Sequence, residues 1–244
     1  NCVHTARLGS PSALLARRRG LFVRDGEPIP LNGHPDRRHQ VSAAAVAALV
    51  ALHDVRVDPP AVSALGDPVG FLDRQVREWT GRWRSARTEP MDAMDGVALW
   101  LIAHQPPDSL DPTVVHGDFT LGNLLLHPLT AGEVVGVLDW SAATIGDPLM
   151  DLGILLAHWT APGDTPDPVP FTARAGYLTR DALLDTYARL SGRDVTNAAF
   201  YEVLALFRSA VLAQERTAHG GVQPGDAVPS PVQRLADHAL QLTR

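Results

Sequence analysis

The segment HGDFTLGN, residues 116–123, lies between two short apolar runs and carries a carboxylate five positions before an amide. Gly, Asp and Asn separate the apolar runs around it, a pattern typical of short strands joined by loops. A further apolar run, residues 134–138, ends directly before another carboxylate. The sequence therefore predicts a small β region that presents three oxygen-bearing side chains at strand ends: Asp118, Asn123 and Asp139.

An Asp followed five residues later by an Asn is the interval of the protein-kinase catalytic loop. In that loop the Asp takes the proton of the substrate hydroxyl, and the Asn holds a magnesium ion. By this comparison Asp118 is the predicted catalytic residue, while Asn123 and Asp139 are predicted to bind Mg²⁺ and the phosphates of ATP. The alternative, that the three side chains only cap loops, fits their shared spacing less well.

Two residues outside this set are predicted to support the loop. Asp151 follows a turn at a predicted helix start, where its carboxylate can accept N–H bonds from a neighbouring loop. His116 is predicted to bond to backbone, and direct proton transfer by it is the minority interpretation. Asp147 could bind metal, but a turn before Pro148 is the favoured interpretation.

The segments HGDFTLGNLL (116–125) and VLDWSAATIGDPLMDLG (137–153) resemble the aminoglycoside phosphotransferase (APH) family, including its acyl-CoA dehydrogenase-linked branch. Weaker similarity extends to residues 70–75 with Trp79 and Trp83, and to Tyr187 with residues 192–194. The resemblance implies an α+β, protein-kinase-like fold, mainly the helical C-terminal lobe with a small β catalytic-loop region. It also implies a transferase that uses ATP and Mg²⁺ to phosphorylate a hydroxyl of a small molecule.

Members of this family carry an N-terminal nucleotide lobe whose lysine pairs with the phosphates, and this chain departs from that pattern. All 21 Lys+Arg side chains are arginine, and residues 1–20 are too few for such a sheet before a possible strand at Leu21 to Arg24. Residues 1–30 are therefore predicted to be a remnant of that lobe and hinge, and residues 31–244 the C-terminal lobe. Three explanations of this departure stay open: the sequence is a fragment, the gene product is truncated, or the protein is a degenerate relative that binds without turnover.

The function is correspondingly open between two classes. The set Asp118, Asn123 and Asp139 favours a small-molecule kinase, whereas the absence of lysine favours a non-catalytic binding module. The helices expected to line the acceptor pocket carry no cluster of acids that would indicate a polycationic aminoglycoside. The acceptor, the choice of ATP or GTP and the oligomeric state are left open.

Composition limits the partners and the compartment. A net charge of −6 argues against nucleic-acid and anionic-membrane binding. The partner that the family resemblance implies is a small-molecule hydroxyl acceptor. The single Cys2 fits a reducing compartment. No apolar run reaches the roughly 20 residues that a membrane span needs, and a cytoplasmic location is expected.

Hydrophobic spacing predicts helices on both sides of the β region. Three precede it: Gln40 to His53, Phe71 to Trp83, and Asp92 to His104. Three follow it: Arg180 to Leu190 capped by Thr179, a long helix capped by Thr196 and ending near Gly220, and a last helix opened by Ser230. Core packing is expected for Trp79, Trp83 and Trp100, and solvent or packing roles for His4, His34, His39 and His53, which lack zinc-ligand spacing.

Overall fold

The computed structural model describes residues 5–6, 21–22, 31, 33–58, 60, 64–127, 129–130, 132–160, 170–218 and 230–243. The helices in these ranges are α1 Pro35–His53, α2 Phe71–Ala86, α3 Asp92–Ala103, α4 Leu149–Ala157, α5 Arg180–Ser191, α6 Ala198–Ala218 and α7 Pro231–Leu242. The strands are β1 Thr5–Ala6, β2 Leu21–Phe22, β3 Thr113–Val115, β4 Leu124–Leu126, β5 Val134–Leu138 and β6 Thr144–Gly146.

The strands form two small antiparallel sheets. One has the order β1-β5-β4-β2, and the other pairs β3 with β6. The register places Leu124 opposite Val137 in the first sheet and Val115 opposite Thr144 in the second. The chain crosses between the sheets twice, from β3 to β4 through residues 116–123 and from β5 to β6 through residues 139–143.

This topology brings the two crossings together, because both start or end at paired strands: β3 pairs with β6 in one sheet, and β4 pairs with β5 in the other. Continuing the β4–β5 register by one residue puts Asn123 opposite Leu138, directly before Asp139. At the other end, a Cβ added to Gly117 would lie 2.5 Å from the carbonyl oxygen of Ala142. The segments that carry the sequence-predicted site residues therefore run side by side.

Helix α4 is the buried centre of the helical part. All nine of its residues are buried, and Asp151 is the only charged one. It packs against α6 so closely that a Cβ on Gly153 would come within 2.4 Å of the Tyr201 backbone. Asp151 therefore sits on a rigidly held element, in the first turn of a helix, where the partial positive charge of the N-terminus favours a carboxylate.

The six predicted helices are present, and two of them, α1 and α6, begin at other residues than predicted. Helix α1 begins at Pro35, five residues before the predicted Gln40, because Pro suits the first helical position and the exposed first turn carries no apolar signal. The caps predicted at Thr179 and Ser230 are confirmed, since both side chains accept a backbone N–H. The predicted cap at Thr196 is wrong: its hydroxyl donates to Asp194, and the helix begins at Ala198.

The N-terminal predictions are covered only in part. A strand is present at Leu21–Phe22, while residues 23–24 and His4 lie outside the described residues. Strands β1 and β2 pair with β5 and β4, so both belong to the sheet whose strands adjoin Asn123 and Asp139. The division of the chain at residue 30 stays a prediction.

Candidate functional site

The loop 116–123 is closed on itself by its two predicted functional side chains. The Nδ2 atom of Asn123 donates to the backbone oxygen of Asp118 at 2.8 Å and to its carboxylate Oδ2 at 2.7 Å. Asn123 is buried at 3% exposure, whereas Asp118 is exposed. The buried Asn123 amide therefore holds the Asp118 carboxylate on its inner side, and the outer side of the carboxylate faces solvent.

The His116 ring connects this loop to the strand that precedes Asp139. Its Nδ1 accepts the backbone N–H of Asp118 at 3.2 Å, so Nε2 carries the proton and donates to the Leu138 carbonyl at 2.9 Å. The ring is fully buried and packs edge-on against Trp140 at 4.8 Å between centroids. Both nitrogens of His116 thus bond to backbone groups, as the favoured sequence interpretation expects.

Asp139 stands at the end of β5 in the left-handed region, with φ 65° and ψ 68°. Among the described residues it is the only non-glycine with a positive φ. Such a backbone costs about 1–2 kcal/mol for most side chains, although Asp tolerates it better than most. Its carboxylate is exposed and accepts one bond, from the Ser141 hydroxyl at 2.9 Å. A strained, exposed carboxylate at a strand end is typical of a functional position.

Asp151 lies behind the loop and is fully buried. Its two carboxylate oxygens accept the backbone N–H of His116 at 2.6 Å and of Gly117 at 2.8 Å. These are the bonds from a neighbouring loop that the sequence predicted for it. Gly117 has φ 79°, a conformation that glycine adopts without strain.

Two residues behind Asp151 were not predicted to contribute. Nε2 of His53 lies 3.5 Å from Oδ2 of Asp151, and its Nδ1 accepts the Tyr187 hydroxyl at 2.8 Å. Because the Asp151 carboxylate only accepts, the ring proton of His53 lies on Nε2, and the Tyr187 hydroxyl, whose pKa burial raises, donates to Nδ1. The solvent-or-packing assignment of His53 is therefore incomplete, because the ring is buried and hydrogen-bonded. A buried polar residue at the end of a helix predicted to be mostly apolar is the signal that could have found it.

Asp147 forms the turn before α4. It accepts the backbone N–H of Leu149 at 2.8 Å and the Tyr201 hydroxyl at 2.8 Å. Burial raises its pKa, and the bonds from Leu149 and Tyr201 act against that increase. Both carboxylate oxygens are thus used in the turn, as the favoured interpretation expects.

Mg²⁺ prefers oxygen ligands in an octahedral arrangement. The described residues contain no group of three or more His, Cys, Asp or Glu side chains that could hold a metal ion. Asn123 and Asp139 supply an amide and a carboxylate oxygen, which suits Mg²⁺, since it commonly takes one or two protein ligands and completes its shell with water and substrate phosphates.

The model of the phosphotransferase enzyme family, APH, matches residues 5–201. The chain belongs to this family. The match confirms the resemblance stated from residues 116–125 and 137–153. It covers the described site and α1 to α5.

Curated relatives of this APH-family chain include longer proteins. Human acyl-CoA dehydrogenase family member 11 is 29% identical over 257 residues, covering 100% of this chain and 32% of the relative. Mouse acyl-CoA dehydrogenase family member 10 is 30% identical over 218 residues, covering 87% of this chain and 20% of the relative. The Escherichia coli aminoglycoside 3'-phosphotransferase is 43% identical over 58 residues, covering 23% of this chain and 20% of the relative. The chain spans at most about a third of these relatives.

Solved structures of other APH-like proteins share the fold. A Ralstonia eutropha protein classed with the aminoglycoside phosphotransferases has a TM-score of 0.72 at 27% identity, covering 86% of this chain and 66% of its own. The type I macrolide 2'-phosphotransferase has a TM-score of 0.54 at 23% identity, covering 85% and 60%. The expected α+β, protein-kinase-like fold with a predominant helical lobe is confirmed. Among the described residues, no helix is long and apolar enough to cross a bilayer.

Proposed function

We propose that this APH-family chain transfers the γ-phosphate of ATP to a hydroxyl of a small molecule, with Asp118 as the base. Asp118 is exposed, so an acceptor hydroxyl can reach it, and Asn123 holds its carboxylate at 2.7 Å. Phosphoryl transfer depends mainly on positioning and on neutralising charge, and needs no covalent nucleophile. The hydrogen bonds that Asn123 donates to Asp118 therefore support a role for Asp118 in orienting the acceptor hydroxyl and accepting its proton.

Asn123 and Asp139 would hold Mg²⁺, which neutralises charge on the nucleotide phosphates when bound. The side-chain nitrogen of Asn123 is turned toward Asp118, so its oxygen is the atom that could coordinate a cation. Asp139 uses one carboxylate oxygen for Ser141 and keeps a second for a ligand. Asp151 and His116 would support the loop from behind.

The observation that carries this proposal is the pair of bonds made by the His116 ring. One bond goes to the amide of Asp118 and the other to the carbonyl that precedes Asp139. A buried ring that links the base to the adjoining crossing gives the two carboxylates a fixed relation. If Asp118 and Asp139 only capped loops, no link between their two segments would be required.

The test is transfer of labelled γ-phosphate by the purified chain across aminoglycosides, sugars, choline-like alcohols and hydroxyacyl compounds. We expect Mg²⁺-dependent transfer to at least one class, and Asp118→Asn should lower kcat/KM about 10³-fold, within the range of general-base effects. Asp237→Asn is the matched control, since it makes the same change on the exposed face of α7. Transfer that survives Asp118→Asn, or no transfer by the wild-type chain, would contradict the proposal.

The absence of lysine supports a second candidate, a binding module without turnover. Arginine can supply positive charge, but its fork is larger and aimed differently, so it is not an automatic replacement. Calorimetry with ATP and Mg²⁺ separates the candidates. The kinase predicts Mg²⁺-dependent nucleotide binding that weakens in Asp139→Asn, whereas the binding module predicts no detectable nucleotide affinity.

A further inference from the structure

Arg208 is a buried cation on α6 whose side chain reaches the loop 116–123. Its Nη2 donates to the Gly117 carbonyl at 2.9 Å. Its Nε and Nη1 are also buried and have no hydrogen-bond partner within the part of the chain that the structure describes. The bond to Gly117 is therefore the one described hydrogen bond of a charged group that is costly to bury.

The Gly117 carbonyl and the Asp118 amide belong to the same planar peptide group. Arg208 bonds to its oxygen at 2.9 Å, while the His116 ring accepts its N–H at 3.2 Å. Since the group is planar, fixing both ends fixes its rotation, and with it the direction in which the Asp118 side chain leaves the backbone. The preceding peptide is held separately, by the bond from the Gly117 N–H to Asp151.

The surroundings of Arg208 explain why the cation is tolerated there. Its guanidinium lies over the Trp79 ring, 4.8 Å from the centroid, where a cation is attracted to the π face. Burial lowers the pKa of Arg208, while the charges of Asp118 and Asp151 act in the opposite direction. A guanidinium still stays protonated, because its ordinary pKa lies far above neutral pH.

We propose that Arg208 is a positioning residue for Asp118, which holds the Gly117–Asp118 peptide in the orientation that the base requires. The proposal rests on the function proposed for Asp118. A direct contact of Arg208 with a nucleotide phosphate is disfavoured, because Nε and Nη1, the two nitrogens without a described hydrogen bond, are buried. The sequence signal is a single arginine within the apolar run of α6, at Leu206-Phe207-Arg208.

Arg82 provides a matched control. Its guanidinium also lies over Trp79, at 4.1 Å, but it bonds to Glu215 instead of the loop, at 2.9 and 2.6 Å. Arg208→Met and Arg82→Met therefore remove the same charge from the same aromatic ring. Only the first removes the bond to Gly117.

The first readout is amide hydrogen exchange of residues 116–118, which needs no enzymatic activity. Arg208→Met should speed exchange of these amides about tenfold, the effect of losing one hydrogen bond to a charged group, with the amides of α7 as an internal reference. Arg82→Met should leave them within about twofold of wild type. Equal exchange in wild type and Arg208→Met, or an equal increase in both variants, would overturn the proposal.

The second readout is kinetic. Arg208→Met should lower kcat at least about tenfold with KM for ATP unchanged, because a misoriented base affects the chemical step and not nucleotide binding. Arg208→Lys, which keeps a charge and one donor, should recover part of both losses. If Arg208→Met does not fold, Arg208→Lys tests the proposal in its place. In that variant the amides of residues 116–118 should exchange faster than in wild type, but by less than about tenfold. A chain without transfer activity would end the proposed function, while the exchange result would still decide the role of Arg208.

Discussion

The front and the back of the loop 116–123 use the same residue type in opposite ways. In front, Asp118 and Asp139 are exposed, and Asp139 accepts one described side-chain bond. Behind, Asp151 is fully buried and accepts two backbone N–H groups while facing His53. A carboxylate that binds a ligand has to keep oxygens accessible, whereas a buried carboxylate must have its oxygens satisfied by the protein.

This difference separates stability from chemistry within a few residues of chain. Changes behind the loop should be measured mainly as a loss of folding free energy. Changes in front should be measured mainly as a loss of transfer or of ligand binding. Each of the following variants would sharpen this division or break it.

The largest effect on folding is expected from Asp151→Asn. An amide offers one acceptor where the carboxylate offers two, so it would place its NH₂ group against a backbone N–H, either His116 or Gly117. Loss of a bond to a charged group together with an unsatisfied buried donor should lower the free energy of unfolding by about 3 kcal/mol, measured by urea denaturation. Asp118→Asn makes the same change at an exposed position and should cost less than about 1 kcal/mol. Similar losses in the two variants would remove the distinction between front and back.

A slightly smaller effect is expected from Gly153→Ala, which tests the element that carries Asp151. The added methyl would lie 2.4 Å from a backbone atom of Tyr201, so α4 and α6 would have to separate. Overpacking of this kind should cost about 2 kcal/mol in thermal or urea unfolding. Gly81→Ala is the control, because its Cβ meets nothing within 4 Å and the position lies inside α2. It should stabilise the chain by up to about 1 kcal/mol, and a loss there would show that the assay does not report packing.

Tyr187→Phe should have a smaller effect, confined to the back of the loop. The variant removes the hydroxyl that donates to Nδ1 of His53 and should cost about 1 kcal/mol of unfolding free energy without changing kcat. A double-mutant cycle with Asp151→Asn tests whether Tyr187, His53 and Asp151 act together. We expect Tyr187→Phe to cost less in the Asp151→Asn background, and additive losses would argue against a connected network.

Local sequence was sufficient where the chemistry depends on spacing along the chain. The five-residue interval from Asp118 to Asn123 and the carboxylate after β5 identified the loop, because antiparallel strands bring such ends together. Apolar periodicity found the helices in the same way. The start of α1 was missed, because its first turn is exposed and polar.

The rest depends on contacts between residues that are far apart in sequence. His53 lies 98 residues from Asp151, and Arg208 lies 91 residues from Gly117. Neither pairing has a local pattern, since each follows from how helices pack against the loop. The contacts of His53 and Arg208 therefore had to be read from the structure.

The smallest effect is expected for Asp147. This carboxylate is neither exposed like Asp118 nor fully buried like Asp151, and both of its oxygens are hydrogen-bonded. Burial raises its pKa above the ordinary 3.8, so the folded state binds more protons than the unfolded state as the pH rises through that value. Stability from this group is therefore lost with rising pH, and the free energy of unfolding of Asp147→Asn relative to wild type should increase as the pH rises above that ordinary value.

Asp194 provides the opposite sign for the same substitution. Bonds from Thr196 lower the pKa of this exposed carboxylate, so its contribution is present above the ordinary value and lost as the pH falls. Asp194→Asn should therefore become less stable relative to wild type as the pH rises. Parallel pH profiles for the two variants would mean that burial does not control the proton affinity of Asp147. Opposite slopes would show that burial controls the pKa of Asp147. Burial would then affect this carboxylate in the turn before α4 as well as distinguishing Asp151 from the exposed Asp118 and Asp139.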